Sequence, residues 1–222
     1  MRIGIVGAGH IGSTVGKLWV DAGHEVRFAS RHPDELAPLV NELGARASAG
    51  TPQEAAEFGD VVMLTVPLNA VPELARALAP LFAGKVVLDT GNAYAQRDAD
   101  AARQATSHPQ GSAGWAAEMF PKARWVKAFN SVNYRVLEKE AHRDGDRVGI
   151  PLASDDRDAL EIAAGLVRDA GFDPVIVGTL EAGREFEPDS WPYNTGMSGA
   201  ELRRGFATRK SPSRGQAPEA RA

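Results

Sequence analysis

Apolar residues in this chain follow two periods that take turns. Continuous runs such as Ile3 to Val6, Val61 to Leu64 and Val86 to Leu88 have the length and β-branched content of strands covered on both faces. Between such runs, apolar positions recur three and four apart, as on one face of a helix. Ile11, Val15, Leu18, Trp19 and Ala22 form one stripe; Val71, Leu74, Ala75, Leu78 and Phe82 a second; Leu160, Ala163, Ala164, Val167 and Ala170 a third. Gly23, Gly44 and Gly171 follow helical stretches as stop signals, and Thr51-Pro52-Gln53-Glu54 has the spacing of a capping box. The pattern predicts strands over 2–6, 25–29, 45–48, 60–65, 85–89, 124–128, 147–153 and 173–177. Helices fill the intervals, with shorter ones over 33–43, 111–120 and 134–141. Residues 91–110 are polar and aperiodic and predict a loop. Segment 180–206 is partly helical but interrupted by Pro188-Asp189-Ser190-Trp191-Pro192-Tyr193. Strands alternating with helices predict an α/β fold with a doubly wound, mostly parallel sheet.

Composition narrows the partners without changing that picture. The 222 residues suffice for one well-buried domain, and 43% hydrophobic with 24% charged is ordinary for a globular protein. A net charge of -4 gives no attraction for nucleic acid or an acidic membrane surface, and neither is expected as a partner. There is no cysteine, which excludes disulfides and thiol chemistry and fits a cytoplasmic protein. The first apolar run breaks at Gly7, too early for a signal peptide, and no stretch approaches the roughly 18 apolar residues of a membrane span. The five histidines lack metal-ligand spacing, so no metal site is expected.

The chemistry is concentrated at the predicted carboxyl ends of the strands. The first strand runs into Gly7-Ala8-Gly9-His10-Ile11-Gly12 and a helix, the context in which a glycine triplet reads as a dinucleotide-binding Rossmann fingerprint. Gly7 permits the tight turn, Gly9 leaves room for a pyrophosphate, and Gly12 lets helix and strand pack closely. The helix start offers free N–H groups and a positive dipole end to the phosphates. An NAD site usually carries an acid about 20 residues further on. Here the second strand ends in Ser30-Arg31-His32, a hydroxyl and a guanidinium suited to a 2′-phosphate, which favours NADP(H) over NAD(H). His32 either stacks on adenine or faces water. Thr65-Val66-Pro67 would pass beside the adenosine and pyrophosphate half. Gly91-Asn92 and Ala128-Phe129-Asn130 come later in the sheet, nearer the nicotinamide, although Asn at a strand end also serves turns and caps. Residues 1–180 therefore read as the dinucleotide-binding domain, 181–206 as an extension packing near the acceptor site, and 207–222 as a disordered tail.

These residues resemble the deazaflavin-dependent NADP reductase family, small Rossmann proteins that pass hydride between NADP(H) and a deazaflavin, and are similar to the NADPH domain of six-transmembrane ferric reductases. The resemblance covers roughly residues 1–188. It rests on Gly7 to Gly12, Ala29-Ser30-Arg31, Val66-Pro67, Asp89-Thr90-Gly91-Asn92, Val126-Lys127-Ala128-Phe129-Asn130-Ser131-Val132 and Glu187-Pro188. It implies NADP bound by the glycine loop, Ser30 and Arg31, and a hydride acceptor over the nicotinamide, beside the loop that starts at Ala128. The chain departs from the family at His10, where an amide or similar polar residue is usual, and at Trp191 to Gly196, where an apolar helix lining the acceptor site is usual.

Hydride transfer asks little of side chains, since the nicotinamide carries the chemistry and the protein places it. No strong acid–base constellation is expected, and Gly196-Met197-Ser198-Gly199 lacks the strand-to-helix elbow of a hydrolase nucleophile. Asn130 is the candidate for orienting the nicotinamide carboxamide or the acceptor. Lys127 reads as a packed or surface lysine before a catalytic one. Trp191 and Tyr193 either stack on a flat acceptor or serve packing or a dimer contact. Two functions of different class remain: an NADPH-dependent reductase of a deazaflavin or flavin, and a non-catalytic NADPH-binding or redox-sensing module. Reduction of a small carbonyl or imine would call for a further helical domain, or for a homodimer that shares one.

Overall fold

The computed structural model describes residues 1–208. The chain begins β1 (Arg2–Val6), α1 (His10–Asp21) and β2 (Glu25–Ala29), followed by a 3-10 turn over Pro33–Leu36 and α2 (Ala37–Leu43). Then come β3 (Ala47–Gly50), α3 (Pro52–Phe58), β4 (Val61–Leu64), α4 (Val71–Phe82) and β5 (Val86–Asp89). The second half holds α5 (Ala95–Ser107), α6 (Gly111–Ala117), β6 (Arg124–Lys127), α7 (Tyr134–Glu140), β7 (Gly149–Ala153), α8 (Arg157–Asp169) and β8 (Asp173–Gly178). A 3-10 stretch over Leu180–Phe186 and α9 (Gly199–Thr208) complete it.

The strands form one eight-stranded sheet in the order β3-β2-β1-β4-β5-β6-β7-β8. Every neighbouring pair is parallel except β6 and β7, which meet antiparallel through Lys127 and Ala153. The apolar runs are the central strands: all four residues of β4 and of β5 are buried. One face of the sheet packs on Trp19, Phe28, Phe129 and Phe172, the other on Phe82, Phe120, Trp125 and the alanines of α3. Trp19 also donates its indole N–H to the Leu166 carbonyl at 2.8 Å, tying α1 to α8 across the first layer. The predicted capping box is present: Thr51 Oγ1 accepts from the Glu54 N–H at 3.2 Å while the Glu54 carboxylate accepts from the Thr51 N–H at 2.8 Å. Among the described residues no helix is long and apolar enough to cross a membrane.

Residues 91–110 are mostly helix rather than loop. Helix α5 buries only Asp98, Ala102 and Ala105, a stripe made of alanine and one acid, and it is broken at Ala99, where φ is 45°. So small a stripe among Gln, Arg and Asp gives no apolar period to read. Helix α9 takes in Ala207 and Thr208, where a disordered tail was expected to begin; the rest of that tail lies outside the described residues.

Candidate active site

Because β1 and β4 are neighbours, the connections leave β1 in opposite directions, and a crevice opens outside their carboxyl ends. A cavity of about 520 Å³ lies there. It collects Gly9, His10 and Ile11 from the glycine loop, Thr65-Val66-Pro67 after β4, Gly91 and Asn92 after β5, and Asn130 after β6. Tyr94, Arg97, Tyr134, Tyr193 and Asn194 also face it.

The glycine loop is shaped by backbone packing. Gly7 has φ 108°, and a Cβ there would lie 2.4 Å from the Thr65 carbonyl oxygen; a Cβ on Gly12 would lie 2.2 Å from that of Gly7. Neither lines the cavity; both fix the turn. Gly9 differs: a Cβ there would meet nothing within 4 Å. Gly9 is also the N-cap of α1, with no side-chain cap bond, so the first-turn N–H groups open toward the cavity mouth without a capping partner. The N–H groups of Gly7 and Ala8 bond the Ala29 carbonyl at 3.2 and 3.0 Å, which sets Ser30 and Arg31 beside the loop but outside the cavity wall. Ser30 Oγ accepts from the His32 N–H at 3.1 Å. Arg31 is exposed, with no carboxylate partner among the described residues. His10 lies flat on Tyr134, ring centroids 4.3 Å apart and planes 11° from parallel. Ala128 is buried and bonds the Asp89 carbonyl through its N–H at 3.0 Å; it supports the site from behind.

Two asparagines cross-brace the far end. Asn130 Nδ2 donates to Asn92 Oδ1 and to the Phe186 carbonyl, each at 3.1 Å, and Asn92 Nδ2 donates to the Asn130 carbonyl at 2.8 Å. Two acceptors around Nδ2 fix which way the Asn130 amide points. Its Oδ1 is then buried without a hydrogen-bond donor among the described residues. Beneath Gly91 lies Lys127, fully buried, with Nζ donating to Ser112 Oγ at 2.9 Å, to Asp89 Oδ2 at 3.3 Å and to the Gly91 carbonyl. It is a packed lysine that holds the loop after β5.

Tyr94 and Arg97 went unread because they fall in the segment taken for a loop; a Tyr and an Arg just past Asp89-Thr90-Gly91-Asn92 were the available signal. The hydroxyls of Tyr94 and Tyr193 bond each other, and Arg97 lies 4.8 Å above the Tyr94 ring. Burial, then the bond with Tyr94, pushes the Tyr193 phenol well above the usual tyrosine range. Burial pushes the Asp98 carboxyl up, but the Arg97 guanidinium and the Tyr94 N–H outweigh it and hold Asp98 below the usual carboxylate range. Trp191 does not join the wall. Its ring packs edge-on against Phe206, centroids 5.2 Å apart, and sits where a Cβ on Gly205 would be, so of its two readings the structure shows packing and not the acceptor wall. Ser198 is no nucleophile either: it caps α9, with its Oγ and N–H both bonded to the Glu201 carboxylate. Among the described residues no group of three or more His, Asp or Glu side chains is placed to hold a metal ion.

Comparison with known proteins places this geometry among relatives. Residues 2–93 match the family described as NADP oxidoreductase, coenzyme F420-dependent. The F420-dependent NADP reductase of Methanothermobacter thermautotrophicus is 30% identical over 200 residues, spanning 84% of this chain and 85% of the relative. Metalloreductase STEAP3 of Rattus norvegicus is 28% identical over 186 residues, which cover 84% of this chain but only 36% of the rat protein. Among solved structures, a hypothetical protein from Sinorhizobium meliloti superposes with a TM-score of 0.78 at 28% identity, covering 89% of this chain and 95% of that one.

Proposed function

The chain belongs to the family of coenzyme F420-dependent NADP oxidoreductases, and we propose that it is an NADP-dependent reductase passing a hydride between NADP(H) and a planar acceptor, a deazaflavin or a flavin. One observation carries the reading: a single cavity at the switch point runs from the uncapped start of α1 to the cross-braced pair Asn92 and Asn130. The two ends match the two ends of a nicotinamide nucleotide. Free N–H groups and a dipole suit the pyrophosphate, with Gly9 leaving it room. Asn92 and Asn130, held by each other, stand where the carboxamide would be oriented. In this reading Gly7, Ala8, Gly9, His10, Ile11 and Gly12 form the phosphate loop, Ser30 and Arg31 take the 2′-phosphate, Thr65, Val66 and Pro67 flank the adenosine side, and Gly91, Asn92, Ala128 and Asn130 support the nicotinamide. The bound nicotinamide supplies the hydride; these residues supply its position. A cysteine-free composition supports a cytoplasmic location, and a homodimer is the assembly that light scattering should return.

The test is a titration followed by an assay. NADPH should bind at least tenfold tighter than NADH, because one charge-assisted pair contributes about 1.5–3 kcal/mol, roughly ten- to hundredfold. Arg31→Ala should remove that preference. The wild type should then oxidise NADPH when a 5-deazaflavin, FMN or FAD is added. Equal affinity for the two nucleotides rejects the assignment of Arg31. Tight NADPH binding with no acceptor reduced favours a non-catalytic binding module.

A further inference from the structure

Two tyrosines at the far end of the cavity are not among the residues assigned to the dinucleotide above, yet both are fixed by several contacts. Tyr94 directly precedes α5, and Tyr193 lies between the 3-10 stretch and α9. Their hydroxyls bond each other, and Asn92 Nδ2 reaches both oxygens at 3.5 Å. The Tyr94 N–H is fixed by Asp98 Oδ2 at 3.1 Å, and the Tyr193 segment is pinned where the Asn194 N–H meets the Ser131 carbonyl at 2.7 Å. Three charged groups face the pair. Arg97 covers the Tyr94 ring and donates to the Asn92 carbonyl at 3.0 Å; Asp98 is consumed by Arg97 and the Tyr94 amide; Asp189 lies close enough to act on Tyr193.

Hydride transfer to a conjugated heterocycle is only half of its reduction. The ring carbon gains two electrons and one proton, the displaced π pair moves to a ring nitrogen or carbonyl oxygen, and that atom needs one more proton to be neutral. A neutral phenol in the wall, resupplied from solvent as it gives up its proton, can neutralise that charge inside the site. We propose that Tyr193 is a catalytic residue, the proton donor to the acceptor, and that Tyr94 is the positioning and refilling residue behind it. The proton leaves the Tyr193 oxygen for the ring heteroatom, the Tyr94 hydroxyl passes its own proton to the Tyr193 oxygen, and solvent at the exposed Arg97 side restores Tyr94. The sum is NADPH, one solvent proton and acceptor giving NADP⁺ and the neutral reduced acceptor. Arg97 favours the step because its cation stands over the ring that carries the transient negative charge. This selects acceptors with a basic nitrogen or oxygen conjugated to the hydride-accepting carbon, and disfavours one-electron acceptors. It rests on the cavity being the nicotinamide site.

The test compares wild type, Tyr193→Phe and Tyr94→Phe with NADPH and either 5-deazariboflavin or FMN. Tyr193→Phe should leave the NADPH Kd within about twofold while kcat falls about 10²-fold, the low end of a general acid's contribution. It should also abolish the solvent deuterium isotope effect on kcat. Tyr94→Phe should lower kcat less and keep a reduced isotope effect. A readout without turnover accompanies these. Alkaline titration of tyrosinate absorbance in the ligand-free protein should show a late-titrating phenol that Tyr193→Phe removes and Tyr94→Phe shifts down only in part, because burial is the larger cause. Wild-type kcat and isotope effect in Tyr193→Phe would overturn the proposal, as would NADPH binding without reduction of either acceptor. Failure of wild type to bind NADPH rejects the nicotinamide site itself, and the NADPH Kd tells that failure apart from the loss of a proton donor.

Discussion

At the scale of single residues, Lys127 shows how far a side chain's role lies from its type. In the sequence it is a lysine inside a short strand. In the fold it is fully buried, and its ammonium is bonded to Asp89, Ser112 and the Gly91 carbonyl, with Glu187 Oε1 at 4.0 Å. Asp89, itself 2% exposed, depends on that charge and also accepts the Gly91 N–H at 2.8 Å. Lys127→Met should therefore destabilise the protein by about 3–5 kcal/mol, since it strands a buried carboxylate. Lys127→Met combined with Asp89→Leu should recover much of the loss. Urea denaturation of the three proteins checks this, and a single variant costing under about 1 kcal/mol would show that Asp89 does not depend on Lys127. The glycine loop was readable residue by residue because its demands are backbone demands. The packed role of Lys127 was readable too, but its partner and the pairing of Tyr94 with Tyr193 were not, because those partners lie 38 and 99 positions away in the chain.

Elements were legible in proportion to the apolar stripe they bury. Helix α8 buries Leu160, Ala163, Ala164 and Val167, and it was read directly; α5 buries two alanines and an acid, and it was missed. Helix starts followed the same logic where the cap is local. Thr51 and Glu54 declare α3, and Ser198 with Glu201 repeats the same spacing at α9. Asp156 caps α8 by accepting the Ala159 N–H at 2.9 Å and holds Arg124 through two bonds at 2.6 and 2.9 Å. The Arg124 bond, then the Ala159 N–H, lowers the Asp156 carboxyl from its ordinary 3.8 to about 2. A depressed folded-state value means the contribution to stability is present above pH 3.8 and is lost as pH falls toward 2. Asp156→Asn should therefore be less stable than wild type at neutral pH, and the two should converge on acidification through that window. Thermal melts across the acid range measure it. Parallel curves at all pH values would show that the pair and cap contribute nothing.

For the whole molecule, the sheet order sets what binding does. The cavity is walled by loops after β1, β4, β5 and β6 and by the segment around Tyr193, so a ligand there joins parts of the chain from residue 9 to residue 194. A ligand that binds only the folded state at a hundred times its Kd adds about 2.7 kcal/mol. For a chain of this size that is roughly 5–10 °C in Tm. NADPH should produce such a shift, and NADH at the same concentration a smaller one; no shift with NADPH would mean that the cavity does not hold it. By itself the sequence determined the alternation of strand and helix, the parallel sheet, the glycine turn and the missing acid after β2, because each depends on periodicity or on neighbours a few residues apart. The tertiary structure alone decided the antiparallel joint of β6 and β7, the turn of Trp191 toward α9 while Tyr193 faces the cavity, and the meeting of Tyr94, Tyr193, Asn92 and Asn130. Those contacts join residues tens of positions apart, and only the packed sheet edge brings them within hydrogen-bonding reach.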